Sequence, residues 1–423
     1  MQKVLIISYF APPCTLTGAN RVGSWIKHLP EHGIYPIVIT RNWVGSEKDE
    51  VTRLKNSGKL IRHEVLDKAE CYYAPYKSSL RDMAFIRSRD SRIFAYLSKF
   101  LTFFGLLLQN ISVRFIPYNN LYDLAREILS KEREIDTLVI SGNPFEQFFF
   151  GYLLKKEFSQ ISWIADYRDD WTTNPLYSND LSSKIFKKYN QFFEKKWVAS
   201  ASEVLTVTDL YRKRLSKLHN RNCQLLCNGY NEELLHTPPL MRSNKFQITY
   251  SGTIYSHQDF SSVIEIIDRI AKKNHDKEFN LTFLGSMGSV DSKQKNTLQQ
   301  KTVSNFNIDI TERISWKDSI AFAKASDVLL IGSYGDLKGI SPSKIFEYAA
   351  MGVPVVCYPS DRDIIDEILK KSNTAYLCVT EKECYDSFQK IVDGDFEYMP
   401  NKSEIIKFSA KHQVSILAQI LKE

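Results

Sequence analysis

Short apolar runs rich in Val, Ile and Leu alternate along this chain with segments whose apolar positions recur at helical spacing. KVLIISYF, YPIVIT, DTLVIS, SWIADY and EVLTVT, then LLCN, read as one series of strands. FQITYSG, NLTFLGS, DVLLIGS, VPVVCY and TAYLCV read as a second. Such alternation predicts parallel sheets built from βαβ units. Between the series, GYNEELLHTPPLMRSN carries Gly229, Pro238 and Pro239 with little periodicity, as a linker would. The pattern predicts two doubly wound α/β domains over 1–235 and 236–404. A single amphipathic helix over 405–423 could pack back across either. Ligands bind outside the carboxyl ends of such strands, so a central cleft between the domains is the expected site.

Helix starts carry their own punctuation. Ser315 with Asp318 precedes IAFAKA, and Thr380 with Glu383 forms a capping box before CYDSFQKIV. GISPSKIFEYAAMGVPVV is the most informative stretch. Ser341 is a good N-cap, Pro342 suits the first helical position, Ser343 and Lys344 follow, and Gly352 offers a left-handed stop. Lys344 near a helix start costs a few tenths of a kcal/mol, because the dipole already leaves positive charge there. A bound phosphate reverses that sign. Glu347 shares the Lys344 face one turn on, so a diphosphate at the helix start and hydroxyls beside Glu347 describe a sugar nucleotide. A plain i,i+3 surface pair is the competing reading.

At 423 residues the chain exceeds what one core organises, which agrees with two domains. The net charge of +7 mildly favours anionic partners without choosing among them. Seven cysteines, an odd number with no C-x-x-C, suit reduced thiols and a cytoplasmic setting. MQKVLIISYFAPPC resembles a short signal or lipoprotein segment, but Pro13 stands before Cys14 where cleavage needs a small residue, so a first strand is preferred. Phe94 to Gln109 is the most apolar stretch, yet Lys99 interrupts it and it falls short of the roughly 18 to 20 residues a spanning helix needs. Residues 76–118 mix Lys77, Arg81, Arg87, Arg89, Arg92 and Lys99 with Phe103, Phe104, Leu106 and Leu107. They fit either contact with a membrane surface or a cover for the first sheet. No basic stripe interleaved with aromatics aligns on one helix, so nucleic acid is not an expected partner.

SPSKIFEYAAMGVPVV is similar to the donor-binding helix of retaining glycosyltransferases of family four, the group 1 enzymes of bacterial polysaccharide assembly with the GT-B fold. SYFAPPCTLTGANRVGSWIKHLPEHGIYPIVIT resembles that family's first strand, glycine-containing acceptor loop and first helix. WIADYRDDW looks like its DxRDxW signature, and VLTVTDLYRKRL with LLCNGYN resembles the passage closing the first domain. ITYSGTIYSHQDFSSVIEII is similar to the opening of the second. The resemblance implies two Rossmann-like domains facing a cleft and transfer of a sugar, with retention, from a nucleotide-sugar (a UDP- or GDP-sugar) to a glycan or lipid-linked acceptor. It also implies surface polysaccharide synthesis in the cytoplasm, at the inner face of the plasma membrane. Donor binding then falls on Gly252, Thr253, His257, Ser341, Ser343, Lys344 and Glu347, with the diphosphate itself on Lys344, the Ser341 and Ser343 hydroxyls, the helix N–H groups and His257. Two departures stand out: Gly339 occupies the place of a family glutamate, and Thr253 and about Gln258 that of an arginine and a lysine.

DYRDDW places Asp166, Arg168, Asp169 and Trp171 just past a strand. Asp169 or Asp166 would orient the acceptor hydroxyl, with Arg168 fixing the carboxylate. A local ion pair with a packed Trp171 is the alternative. Gly18, Asn20 and Arg21 would form the acceptor-side loop, Gly18 allowing close approach. The absence of G-x-G-x-x-G speaks against a dehydrogenase. Asp361 in DRD reads as an N-cap, and His28 with His32 lacks a third ligand, so no metal and no other cofactor is expected. A GT-B sugar-nucleotide epimerase and a non-catalytic nucleotide-sugar scaffold remain alternatives.

Overall fold

The computed structural model describes residues 1–43, 50–174, 180–255, 258–289, 294, 298, 302–335, 337–360 and 362–423. The chain forms two compact units, residues 1–227 with 413–423, and residues 228–412.

In the first unit, β1 (Gln2–Ser8), β2 (Ile34–Arg41), β3 (Arg62–Leu66), β4 (Ala69–Ala74), β5 (Thr137–Gly142), β6 (Ser162–Tyr167), β7 (Glu203–Thr206) and β8 (Gln224–Leu225) make one sheet. Its order is β3-β4-β2-β1-β5-β6-β7-β8. Only β3 runs antiparallel, against β4. Four consecutive β1 residues, Val4 to Ile7, are wholly buried, as a parallel strand covered on both faces requires. Leu5 and Ile7 pack with Leu121, Phe148 and Phe150 on one face. Val4 and Ile6 pack with Val22, Trp25, Val414 and Leu417 on the other. Residues 413–423 thus complete the first unit's core.

The second unit has β9 (Phe246–Ser251), β10 (Phe279–Leu284), β11 (Phe306–Ile310), β12 (Val328–Ile331), β13 (Val355–Cys357) and β14 (Ala375–Leu377), all parallel, in the order β11-β10-β9-β12-β13-β14. The division at Cys227 and the return at Gln413 differ from the expected 235 and 405. The flanking segments hold each other: Tyr230 N–H donates to Phe408 O at 2.9 Å, and Ala410 N–H to Tyr230 O at 2.9 Å. The expected C-terminal helix over 405–423 is correspondingly shortened to Ala410–Ile420: the chain before it forms a short helix Lys402–Ile405 and a 3-10 turn Ile406–Phe408, and Ser409 is extended.

Strands β3, β4 and β11 were absent from the expected series. β3 is largely exposed, and its sequence RHEVL lacks an apolar run. The capping expectations hold at Ser315, whose Oγ accepts from Asp318 N–H, and at the Thr380 and Glu383 box. Asp361 lies outside the described residues; the residue before the Ile364–Ser372 helix is Asp363, which makes no side-chain cap.

Candidate active site

Each sheet has one place where successive strands depart in opposite directions. In the second unit it lies between β9 and β12, in the first between β1 and β5. Loops leaving the carboxyl ends there diverge and open a crevice.

In the second unit, Gly252 and Thr253 leave β9, while the loop from β12 leads to the helix Ser343–Ala350. Pro342, with φ −68° and ψ 140°, holds the N-cap position instead of Ser341, because its ψ is extended. Lys344 is therefore the second helical residue, not the third. Ser341, one residue too early to cap, keeps a buried Oγ with no partner among the described residues. Gly352 has φ +79°, the left-handed stop expected of it.

Lys344 does not turn to water. Its Nζ donates to Ser251 O at 3.1 Å, at the end of β9, and lies 3.8 Å from the centre of the Tyr250 ring. A carbonyl and a π face are thus the groups that meet this ammonium. Burial lowers the lysine to about 7, against the attraction of Glu347. Glu347 accepts from Trp316 Nε1 at 2.8 Å, so the surface pair offered as the competing reading is not formed. Burial pushes Glu347 upward, opposed by that indole bond and then by Lys344. Tyr348 Oη accepts from Ser251 N–H at 2.9 Å, tying the helix to the end of β9.

Gly252, with φ +97°, has open space where a Cβ would stand. Thr253 is exposed and Ser343 half-buried; His257 lies outside the described residues. Gln258 is buried and accepts from Tyr250 Oη at 3.1 Å, a positioning contact. Gly339 adopts φ +89° and donates its N–H to the Asp363 carboxylate. A glutamate would be strained in that backbone, so the departure at Gly339 is built into the loop.

In the first unit, the residues of DYRDDW serve different ends. Asp166 is fully buried and takes a two-pronged contact from Arg21, at 2.6 and 2.9 Å, and one from Ser141 Oγ at 2.7 Å. It is a structural anchor and does not offer a free carboxylate. Arg21 is also buried and donates to Cys227 O at 3.1 Å, so of the expected acceptor-loop residues Gly18, Asn20 and Arg21 only Asn20 is exposed. Arg168 donates to Gly18 O at 2.6 Å and Asn143 O at 2.8 Å, clamping the loops that leave β1 and β5. A Cβ on Gly18 would stand 2.0 Å from Arg168 Nη1, so the space left by this glycine is filled by Arg168. Asp170 is buried against Arg214 at 3.1 Å, and Trp171 stacks on Phe145 at 5.1 Å. Asp169 alone of the three aspartates presents an exposed carboxylate, 3.9 Å from Arg168 Nε.

Sequence reasoning missed the Arg21 to Asp166 pair and a buried trio behind the loop. Glu194, fully buried, accepts from Tyr167 Oη at 3.0 Å and from Thr172, and burial raises it to about 8. His219 lies 3.2 Å from the same phenol and is lowered to about 4 by burial. Both are neutral at pH 7. No spacing rule joins residues so far apart in sequence.

Residues 231–407 match the family model of "Glycosyl transferases group 1", a span that falls on the second unit. No curated protein matches the chain significantly. Among solved structures the chain is similar to sucrose-phosphate synthase from Thermosynechococcus elongatus, with TM-score 0.66, 11% identity and coverage of 100% of this chain and 98% of that one. It is also similar to a trehalose-6-phosphate protein from E. coli bound with UDP-2-fluoro glucose, with TM-score 0.63, 11% identity and coverage of 100% and 99%. A UDP-GlcNAc 2-epimerase from Neisseria meningitidis bound to UDP-GlcNAc gives TM-score 0.54, 13% identity and coverage of 100% of both chains. At such identities the likeness is one of fold: two Rossmann-like α/β units.

Proposed function

We propose that the protein is a retaining, hexosyltransferase-type glycosyltransferase that moves a sugar from a UDP- or GDP-sugar to a glycan or lipid-linked acceptor in surface polysaccharide assembly. The second unit takes the nucleotide-sugar, and the family match to residues 231–407 supports this. The observation that carries the reading is Lys344: a half-buried ammonium in the first turn of a helix, at the strand-switch point, with no anionic side chain among the described residues bonded to it. A departing diphosphate supplies the missing charge, aided by first-turn N–H groups and the unpartnered Ser341 Oγ.

Glu347, held by the Trp316 indole, is the group one turn deeper for sugar or ribose hydroxyls. In the first unit Asp169 orients the acceptor hydroxyl, and Arg168 holds the surrounding loops. The hydroxyl attacks from the face that the diphosphate leaves, which asks of the protein mainly positioning and charge stabilisation. No metal ion or other cofactor takes part in this reading.

The test is a thermal-stability screen against UDP-, GDP- and CDP-sugars. A ligand at 100 times its dissociation constant adds about 2.7 kcal/mol, and Lys344→Ala loses that gain. An unchanged gain in the variant overturns the assignment. Likeness to a 2-epimerase makes the acceptor the discriminating reagent. An epimerase would interconvert the donor sugar without an acceptor, whereas the transferase transfers sugar and releases nucleotide diphosphate when an acceptor is supplied.

A further inference from the structure

The helix Arg92–Leu108 inverts the usual arrangement of a surface helix. Most of its solvent-facing positions are apolar: Ile93, Tyr96, Leu97, Phe100, Phe103 and Phe104 are exposed along it, with Ile93 78% and Phe100 58% exposed, beside Arg92 and Lys99. None of its residues belongs to a core cluster of the described residues. It is held in place at its C-terminal end, where Tyr189 Oη donates to Leu107 O at 2.5 Å and Asn110 Nδ2 to Asn190 Oδ1 at 2.9 Å. Those contacts set it beside the helix Leu181–Val198, which exposes Leu181, Ile185 and Phe192.

The charge on this face is mostly basic, the exposed acids Asp90 and Asp180 standing at the starts of the two helices. Arg92–Leu108 contains Arg92 and Lys99 and no acid, and Arg87 and Arg89 precede it in exposed positions. Leu181–Val198 carries Lys184, Lys187, Lys188, Lys195 and Lys196, and its one acid, Glu194, is fully buried. An apolar stripe of this extent is not left in water without a partner. A second copy of the chain is disfavoured as that partner, because a two-fold contact sets the same patch against itself and brings lysine and arginine onto lysine and arginine. An anionic bilayer meets both features at once, with rings entering the interface and ammonium groups among the headgroups. No helix of the described residues is long and apolar enough to cross a membrane, so contact would be at the surface.

We propose that the exposed faces of Arg92–Leu108 and Leu181–Val198 form one docking surface for an anionic lipid bilayer. It extends the segment 76–118 marked in the sequence by a second, lysine-rich helix that sequence spacing did not join to it. The proposal stands on this surface alone and is independent of the transferase chemistry.

Flotation of the full chain with phosphatidylcholine vesicles, with and without about a third phosphatidylglycerol, tests it. The chain is expected to float with the anionic vesicles and to be released by high salt. Phe100→Glu with Phe104→Glu should weaken partition by roughly a hundredfold, and Lys184→Glu with Lys188→Glu by at least about tenfold. Both pairs lie on exposed helix faces, and unchanged melting temperatures establish that the variants fold. The proposal is overturned if the chain stays with the soluble fraction at low salt, or if the Phe100 and Phe104 variant floats as well as the wild type. It is equally overturned if light scattering shows a dimer that this variant dissociates, since a second copy then covers the face.

Discussion

Replacing Lys344 by Met removes a charge that the folded protein disfavours and a cation that a diphosphate needs, so stability and ligand binding should move in opposite directions. Depression of the lysine from 10.5 to about 7 sets a ceiling on the order of 5 kcal/mol for the cost of keeping it charged. Two effects lower the gain from its removal. The side chain is only half-buried, and the variant gives up the Ser251 carbonyl bond and the Tyr250 contact, about 1 kcal/mol each. Methionine fills much of the stem's volume, so about 2 kcal/mol of net stabilisation is expected at acid pH. The second unit spans residues 228–412, for which this corresponds to about 4–8 °C in melting temperature. The sign follows from linkage. Below pH 7 both folded and unfolded chains carry the proton, and the folded state bears the full cost. Between 7 and 10.5 the folded lysine gives up its proton while the unfolded chain keeps it, so wild-type stability rises with pH and the advantage of Met fades. Calorimetry of wild type and variant at about pH 6 and about pH 9.5, with and without UDP, reads both effects. A variant that melts below the wild type at the acid end refutes the buried-charge account. One that keeps the full UDP shift refutes the diphosphate role.

Further outcomes follow from the first unit and from the same lysine. Asp169→Asn should leave stability within about 0.5 kcal/mol, since the carboxylate is exposed, and lower sugar transfer by about a hundredfold in a nucleotide-release assay with acceptor. Gly18→Ala should cost about 2 kcal/mol in urea unfolding by colliding with Arg168. A double-mutant cycle with Arg168→Ala should return a coupling of at least about 1 kcal/mol. Glu194, held at about 8 in the fold against 4.5 ordinarily, makes the wild type lose stability as pH rises through 8. Glu194→Gln should match it near pH 5 and exceed it by about 2 kcal/mol near pH 9. UDP binding, followed by calorimetry, should take up protons above pH 7 and weaken as pH rises, because the diphosphate draws the Lys344 pKa upward.

Eleven strand segments, the two-unit division and the presence of a helix after Ser341 were legible because each rests on local signals: apolar runs, capping residues, a proline and a glycine; the helix itself starts one residue later than expected. The β3 and β4 hairpin was not, since Arg62–Leu66 owes its strand form to pairing with a neighbour and is hardly buried. Placement of Lys344 near a helix start was readable, but its bond to the end of β9 was not, because Ser251 lies 93 residues away in sequence. DYRDDW shows the division most clearly. Its composition announced charged chemistry past a strand, yet burial decides that Asp166 anchors Arg21, Asp170 holds Arg214 and Asp169 stays exposed beside Arg168.

Periodicity along the chain by itself determined two successive α/β folds and roughly where most of their helices lie, because backbone preference and capping act within a few residues. Only the tertiary structure decided which of several like-charged side chains are spent on holding loops and which remain available to a ligand. That choice depends on desolvation and on partners brought from distant strands, quantities that exist only once the sheets have formed.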